Sequence, residues 1–340
     1  IVSPYLDEFP ELANKISAIL KKADTNKDTA TTQGILLGLG QSNTLRAIEI
    51  IKPYLEHNDP SLKATAALAL GPINKPEVMP LLISKVNDGN AQVKQALATA
   101  FGMQGTQEAL AQLRRLIKDR NPFVVQAAAN GFANVPGAPI MELNPLLSDS
   151  RWQVKLTAAQ ILGPSLLPGH PELVPTFIRL ADSDPHILVR SAATLGLAGV
   201  NQPEAIRVVQ KNMQRPDWIL RRSATLTAGR IDSPALVPSL AFVLNNDSHY
   251  LVRSAALISS ANKINQSPQI VEEVKLLLND RYWQVRQSAV EALGLSNNPR
   301  TIELLIPRLK DYSWQVRYST NTSLGNRVND YPTLKSSVSL

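Results

Sequence analysis

Apolar residues recur along the chain with two periods at once. Within short stretches they return at helical spacing, as in Val78, Leu81, Leu82 and Val86, or Ile302, Leu305, Ile306 and Leu309. Over longer distances whole stretches repeat. A Val-type position appears at Leu62, Val93, Val124, Val154, Val189, Leu220, Val252, Val285 and Val316, with successive spacings of 31, 31, 30, 35, 31, 32, 33 and 31 residues. It is followed by small and apolar residues and then by Gly, as in Val285, Ala289, Ala292, Leu293 and Gly294. A degenerate first copy ends at Leu39-Gly40.

This register predicts about ten helical hairpins. The first helix of each is amphipathic and leads into a short turn with Asp or Asn. The second begins at an N-cap residue followed by Pro, as at Asp59-Pro60 and Asn121-Pro122, and Gly closes it. Ala in the buried stripe lets helices of adjacent hairpins approach to ~8 to 10 Å. Length alone suggests two domains, but a stacked array grows without dividing its core. One solenoid over residues 1–340 is therefore expected, with repeats from about 10 to 325 and 326–340 as a tail or cap. The long loop Gly163–His170 and the slightly long loop Asn262–Ser267 are expected to change the curvature.

A unit of about 31 residues reading Asp-x-x-(Trp/Pro)-x-Val-Arg-x-x-Ala-x-x-Ala-Leu-Gly resembles the short HEAT repeat, the type called PBS-lyase-like. The resemblance implies an all-α, armadillo-like, right-handed α-α superhelix whose second helices line the concave side. It is broad on activity, because that family includes scaffolds, chromophore lyases and DNA-repair proteins. Function therefore has to be read from sites.

Composition narrows the choice. Aromatics make up only 5% of the chain, leaving the apolar content to Ala and Leu, which favours close-packed helices over sheets. With no Cys, disulfides, thiolate nucleophiles and cysteine metal sites are excluded together. A formal charge of +7 over 340 residues is compatible with an acidic partner but too modest to imply nucleic acid. No apolar run reaches the ~18 residues that span a bilayer. Ile rather than Met at position 1 is expected of a processed or trimmed product.

Three recurring polar or aromatic slots invite functional readings. A basic residue follows the Val position at Lys63, Lys94, Lys155, Arg190, Arg221, Arg253, Arg286 and Arg317, with Val125 as the exception. It reads either as a stripe for phosphate or as one side of a ladder with the Asp that recurs five positions before the Val of the same repeat. Equal recurrence of both partners favours the ladder. Trp152, Trp283 and Trp314 share the slot two residues before the Val, where Pro60, Pro122 and Tyr250 also stand. Packing at the helix start is expected there, rather than a stacking platform, and Trp218 is read as one residue out of that slot. His186, Asp217 and His249 share the slot three before the Val. Equivalent positions in adjacent hairpins lie ~10 Å apart, too far for shared metal coordination, so N-caps are expected.

The remaining clue is apolar. The residue before the Val is polar at Ser61, Gln92, Gln153, Gln284 and Gln315, but Leu188, Ile219 and Leu251 occupy it in the sixth to eighth repeats. Seven residues on, on the same helical face, stand Leu195, Leu226 and Ile258. Arg222 and Arg230 lie alongside. This row is either a docking groove for a partner or filler between hairpins.

No P-loop, Gly-x-Ser-x-Gly elbow or His-Glu-x-x-His helix is present, and no His is followed by Glu as in the iron-binding HEAT-repeat hydroxylases. The expected function is a non-enzymatic scaffold that binds a protein or peptide through Leu188, Leu195, Ile219, Arg222, Leu226, Leu251 and Ile258, with no cofactor or metal. The alternatives that the resemblance brings are a nucleic-acid binder related to DNA glycosylases, and a chromophore lyase or its chaperone subunit. An inner face of mainly Gln, Ser, Thr and Ala lowers the former.

Overall fold

In a computed structural model, residues 6–163, 167–261, 264 and 268–327 are described. They contain helices and turns and no strand. Most of the loop Asn262–Ser267, residues 164–166 of the loop Gly163–His170, and the tail from 328 onward lie outside the described residues.

The chain divides into two compact units, 1–161 and 162–340. In the first, α1 (Pro10–Thr25) pairs with α2 (Thr29–Gly40), and α3 (Leu45–Ile51) pairs with α4 (Pro60–Leu70). Next come α5 (Val78–Ser84) with α6 (Ala91–Gln104), and α7 (Gln107–Leu116) with α8 (Pro122–Asn134). A 3-10 segment, Ile140–Ser148, precedes α9 (Trp152–Leu162). Pro145 inside that segment has no N–H to donate and disfavours α geometry before it, which accounts for the tighter winding.

The second unit holds α10 (Val174–Ser183) with α11 (Ile187–Gly196), and α12 (Pro203–Asn212) with α13 (Trp218–Ala228). It continues with α14 (Val237–Asn246) and α15 (Tyr250–Ala261), then α16 (Pro268–Leu277) and α17 (Trp283–Gly294). The last pair is α18 (Arg300–Leu305), tightened to 3-10 over Ile306–Lys310, with α19 (Trp314–Gly325). These are ten hairpins among the described residues, each at the register the sequence sets.

The Val positions are buried throughout, with Val93, Val124, Val189, Val252 and Val285 at 1% exposure or less. Second helices of successive hairpins within a unit pack side by side on Ala. Caps form as expected: Asp59, Asn90, Asn121 and Asp217 accept backbone N–H groups of the first turn. The repeated Gly behaves differently from the expectation. It lies in the last helical turn, as Gly102, Gly131 and Gly294 do, or just past it as a right-handed C-cap, as Gly71 and Gly229 do, and the positive-φ glycines are Gly105, Gly137 and Gly199. The requirement is space. A Cβ on Gly102 would stand 2.6 Å from Cα of Gly131 in the neighbouring second helix, closer than any side chain tolerates.

Candidate functional site

The basic stripe is consumed by structure. Arg286 donates Nε and Nη2 to the Asp311 carboxylate at 2.8 and 2.7 Å, and Nη1 to the carbonyls of Asp280 and Arg281 at 2.9 and 3.4 Å. Arg253 and Arg221 repeat this arrangement with Asp280 and Asp247. In the first unit Lys63 and Lys94 reach Asp88 and Asp119. The carboxylate partner thus comes from the following repeat, not from the residue's own turn as the spacing suggested. Each Asp carboxylate accepts the N–H two residues on, as Asp280 does from Tyr282 and Asp311 from Ser313, together with the Arg of the preceding repeat, while the Arg of its own repeat bonds the carbonyl oxygens of the turn.

These rungs are charge-assisted and bidentate where Arg is used. Arg286 and Asp311 are buried, at 2% and 3% side-chain exposure. Hydrogen bonding to Asp311 holds the Arg286 guanidinium above its usual pKa. Burial opposes ionisation of Asp311, but the bonds from Arg286 and from the Ser313 N–H outweigh it, and its pKa is lowered.

Both departures from the ladder have local explanations or consequences. Where Val125 replaces the base, Arg151 of the next turn donates to the carbonyls of Asp119 and Arg120 at 3.0 and 2.9 Å while chelating Asp149. Where Arg190 awaits a carboxylate, the equivalent slot of the next repeat holds Arg215, which turns instead toward Asp182 at 3.7 Å. That rung is missing.

His186 and His249 accept the N–H of Leu188 and Leu251 through Nδ1 at 3.3 Å, so both are N-caps. Trp218 opens α13 as Trp152, Trp283 and Trp314 open their helices, in the shared slot and not one residue from it. Packing is not uniform along the slot, for Trp314 is 63% and Trp218 37% exposed, and Trp218 and Tyr250 stack on rings of the slot one residue earlier, His249 and Tyr282. Trp218 stacks on His249 (4.2 Å, 4°), His249 on Tyr250 (5.2 Å, 18°) and Tyr250 on Tyr282 (4.6 Å, 18°), joining successive repeats edge to edge.

The apolar row lies on α11, α13 and α15. Leu188 is 36% and Ile258 53% exposed. Leu195, Ile219, Leu226 and Leu251 are half-buried. Beneath them the seams are closed by small residues: Ala192, Ala193, Ala224, Ala228, Ala255 and Ala256 are buried. Hydroxyls complete the closure, with Ser191 on Ser223 at 2.6 Å, Thr227 on the Thr194 carbonyl at 2.9 Å and Ser259 on the Thr225 carbonyl at 2.9 Å. Arg222, three residues after Ile219 and four before Leu226, is exposed and has no ion-pair partner among the described residues.

Two features escaped the sequence reading. Phe123 stands in the same slot as Leu188, Ile219 and Leu251 and is 51% exposed on α8. The signal was its place directly before Val124. A cleft of 660 Å³ also opens between the turn before α13 and α14, lined by Arg215, Phe242 and Asn246 among others. No group of three or more metal-ligating side chains occurs among the described residues, and no helix there is long and apolar enough to cross a membrane.

The profile of HEAT repeats matches residues 79–139, 140–224, 182–261 and 271–336. The chain belongs to the HEAT-repeat family. Among solved structures, the Escherichia coli protein YibA aligns over 72% of this HEAT-repeat chain and 94% of its own, at 17% identity and a TM-score of 0.55. A chain from the structure of Kap95p with RanGDP aligns over 89% of this chain and 47% of its own, at 15% identity and a TM-score of 0.53. Human deoxyhypusine hydroxylase aligns over 84% and 96%, at 18% identity and a TM-score of 0.34. At these identities the likeness to YibA and Kap95p concerns the fold alone. No curated protein sequence matches the chain.

Proposed function

We propose that this HEAT-repeat protein is a non-catalytic scaffold that binds an apolar segment of a protein partner on its second-helix face, over α11, α13 and α15. The observation that carries the reading is the exposure of Leu188 and Ile258, with Ile219, Leu226 and their neighbours half-buried, above seams already closed by Ala and hydroxyls. Side chains not needed to fill a seam, grouped on one face, mark an interaction surface. Arg222, exposed and without an ion-pair partner among the described residues, gives that surface a cation and would select an acidic residue beside the apolar segment. The short period further supports the PBS-lyase-like type of repeat. Kap95p, one of the proteins similar in fold, binds RanGDP, in keeping with a binding role for this architecture.

Replacing Leu226 and Ile258 by Ser tests the proposal. Half-buried or exposed side chains give up about 1 kcal/mol each or less, against about 2 to 5 kcal/mol for a deleted core side chain. The double variant should melt within a few degrees of the parent and fail to retain the partner that the parent retains from the native host. A sharply lowered melting temperature would return these residues to the core and end the reading.

A further inference from the structure

The first unit carries a second concavity of different chemistry. Between α6 and α8 lies a groove of 310 Å³ lined by two columns of side chains. Gln95, Thr99 and Met103 form one column on α6, and Gln126, Asn130 and Asn134 form the other on α8, each at a spacing of four residues. The two helices are held close by the contact of Gly102 with Gly131, and Gly131 and Ala127 leave the floor of the groove low.

No ionisable side chain lines this groove. The amides of Gln95, Gln126, Asn130 and Asn134 have no hydrogen-bond partner among the described residues, while the Thr99 hydroxyl is already spent on the Gln95 carbonyl at 3.1 Å. Each free amide offers two N–H donors and one carbonyl acceptor. A column stepping by four residues along a helix advances ~6 Å per step. Peptide groups facing one side of an extended chain repeat every ~6.6 Å. Donors and acceptors therefore come at nearly the period at which a main chain presents their complements. Phe123, 51% exposed at the start of α8, and Met103, 55% exposed near the end of α6, supply apolar contacts at the two ends.

We infer that this groove binds an uncharged peptide segment in extended conformation through its main chain, with roughly four residues in contact and an apolar side chain set against Phe123 or Met103. Neutral amides neither attract nor reject charge at long range, so recognition rests on backbone pairing and on the two end contacts. The inference is independent of the apolar row on α11, α13 and α15.

The test uses the full chain and a displayed library of eight-residue peptides lacking Asp, Glu, Lys and Arg. The strongest binder is then synthesised in two further forms, N-methylated at alternate residues in one register or the other. Three results are expected together. Gln126→Ala with Asn130→Ala weakens binding about tenfold with an unchanged melt, since these amides make no internal bond. N-methylation in one register abolishes binding while the other is tolerated. Leu226→Ser with Ile258→Ser leaves the affinity as it was. Should the double amide variant melt lower, Asn130→Ser alone decides the point by the same binding ratio. An empty selection, an affinity indifferent to the amide substitutions, or equal tolerance of both N-methyl registers overturns the inference. Loss of binding in the Leu226 and Ile258 variant instead assigns the peptide to the apolar row, which sinks this proposal and leaves the first standing. Competition by a neutral oligosaccharide through Gln126 and Asn130 would make the groove a sugar site and overturn it equally.

Discussion

The basic slot shows how one position takes on different energies along the chain. Arg286 is buried, chelates Asp311 and lies 4.3 Å from the Tyr312 ring centre. Removing it strands a buried carboxylate, which costs about 3 to 5 kcal/mol. Arg190 donates Nη1 to the Asp184 and Pro185 carbonyls at 2.6 and 3.2 Å, but the slot that supplies Asp to its neighbours holds Arg215. Its loss strands no carboxylate and should cost about 1 kcal/mol. Urea denaturation of Arg286→Ala and Arg190→Ala should separate the two clearly. Equal losses would deny the carboxylate its role, and an unchanged midpoint for Arg286→Ala with lost partner binding would make the stripe functional after all. The recurrence of Asp and Arg was legible in the sequence, but the repeat that supplies each partner was not. Spacing along the chain favours the nearer Asp, whereas the second helix carries its Arg toward the next turn.

At the level of elements, helix starts were the most legible feature, because the N-cap, Pro and Val positions each act within one turn. Helix ends were read less well. Gly near a helix end suggests a left-handed cap, yet of the glycines bordering α6 only Gly105 has that geometry, at φ +63°. Gly102 is there for the closeness of α8, a relation between repeats that a single repeat does not reveal. Two substitutions separate these roles. Gly38→Ala, inside α2 with nothing within 4 Å of the added Cβ, should raise stability by roughly 0.5 to 1 kcal/mol through helix propensity. Gly102→Ala should lower it by about 1 to 3 kcal/mol through overpacking, despite the same gain in propensity. Thermal melts with opposite shifts are expected, and matching shifts would show that the α6–α8 contact relaxes freely. The apolar row was legible because it breaks a polar pattern in three consecutive repeats. Phe123 breaks the pattern once, surrounded by polar copies, and so passed unnoticed.

For the molecule as a whole, the recurring carboxylates tie stability to pH. Burial opposes ionisation of Asp119, but the bonds from Lys94 and from the Asn121 N–H outweigh it, and its pKa is lowered. The pKa of Asp149 is lowered by its hydrogen bond with Arg151, and Asp311 follows through Arg286. A carboxyl whose folded pKa lies below its unfolded value, about 3.9 for Asp, adds stability that is complete above that value. The contribution is lost as pH falls through the folded pKa, because protonation then removes the favoured charge. The melting temperature should therefore be nearly flat from neutral pH to about pH 5 and drop below about pH 4. Acid also strips the 28 Asp and Glu of their charge while 35 Lys and Arg remain, and the resulting self-repulsion is a competing cause of acid unfolding. Salt distinguishes the two. Repulsion between exposed like charges is screened at 0.5 M ionic strength, while the buried Arg286–Asp311 rung is screened much less. Added salt at pH 3 should recover only part of the lost melting temperature, and Asp311→Asn should show a shallower decline between pH 5 and pH 2 than the parent. Full recovery by salt, with the same acid slope in the variant, would assign acid unfolding to net charge and leave the ladder without a part in it.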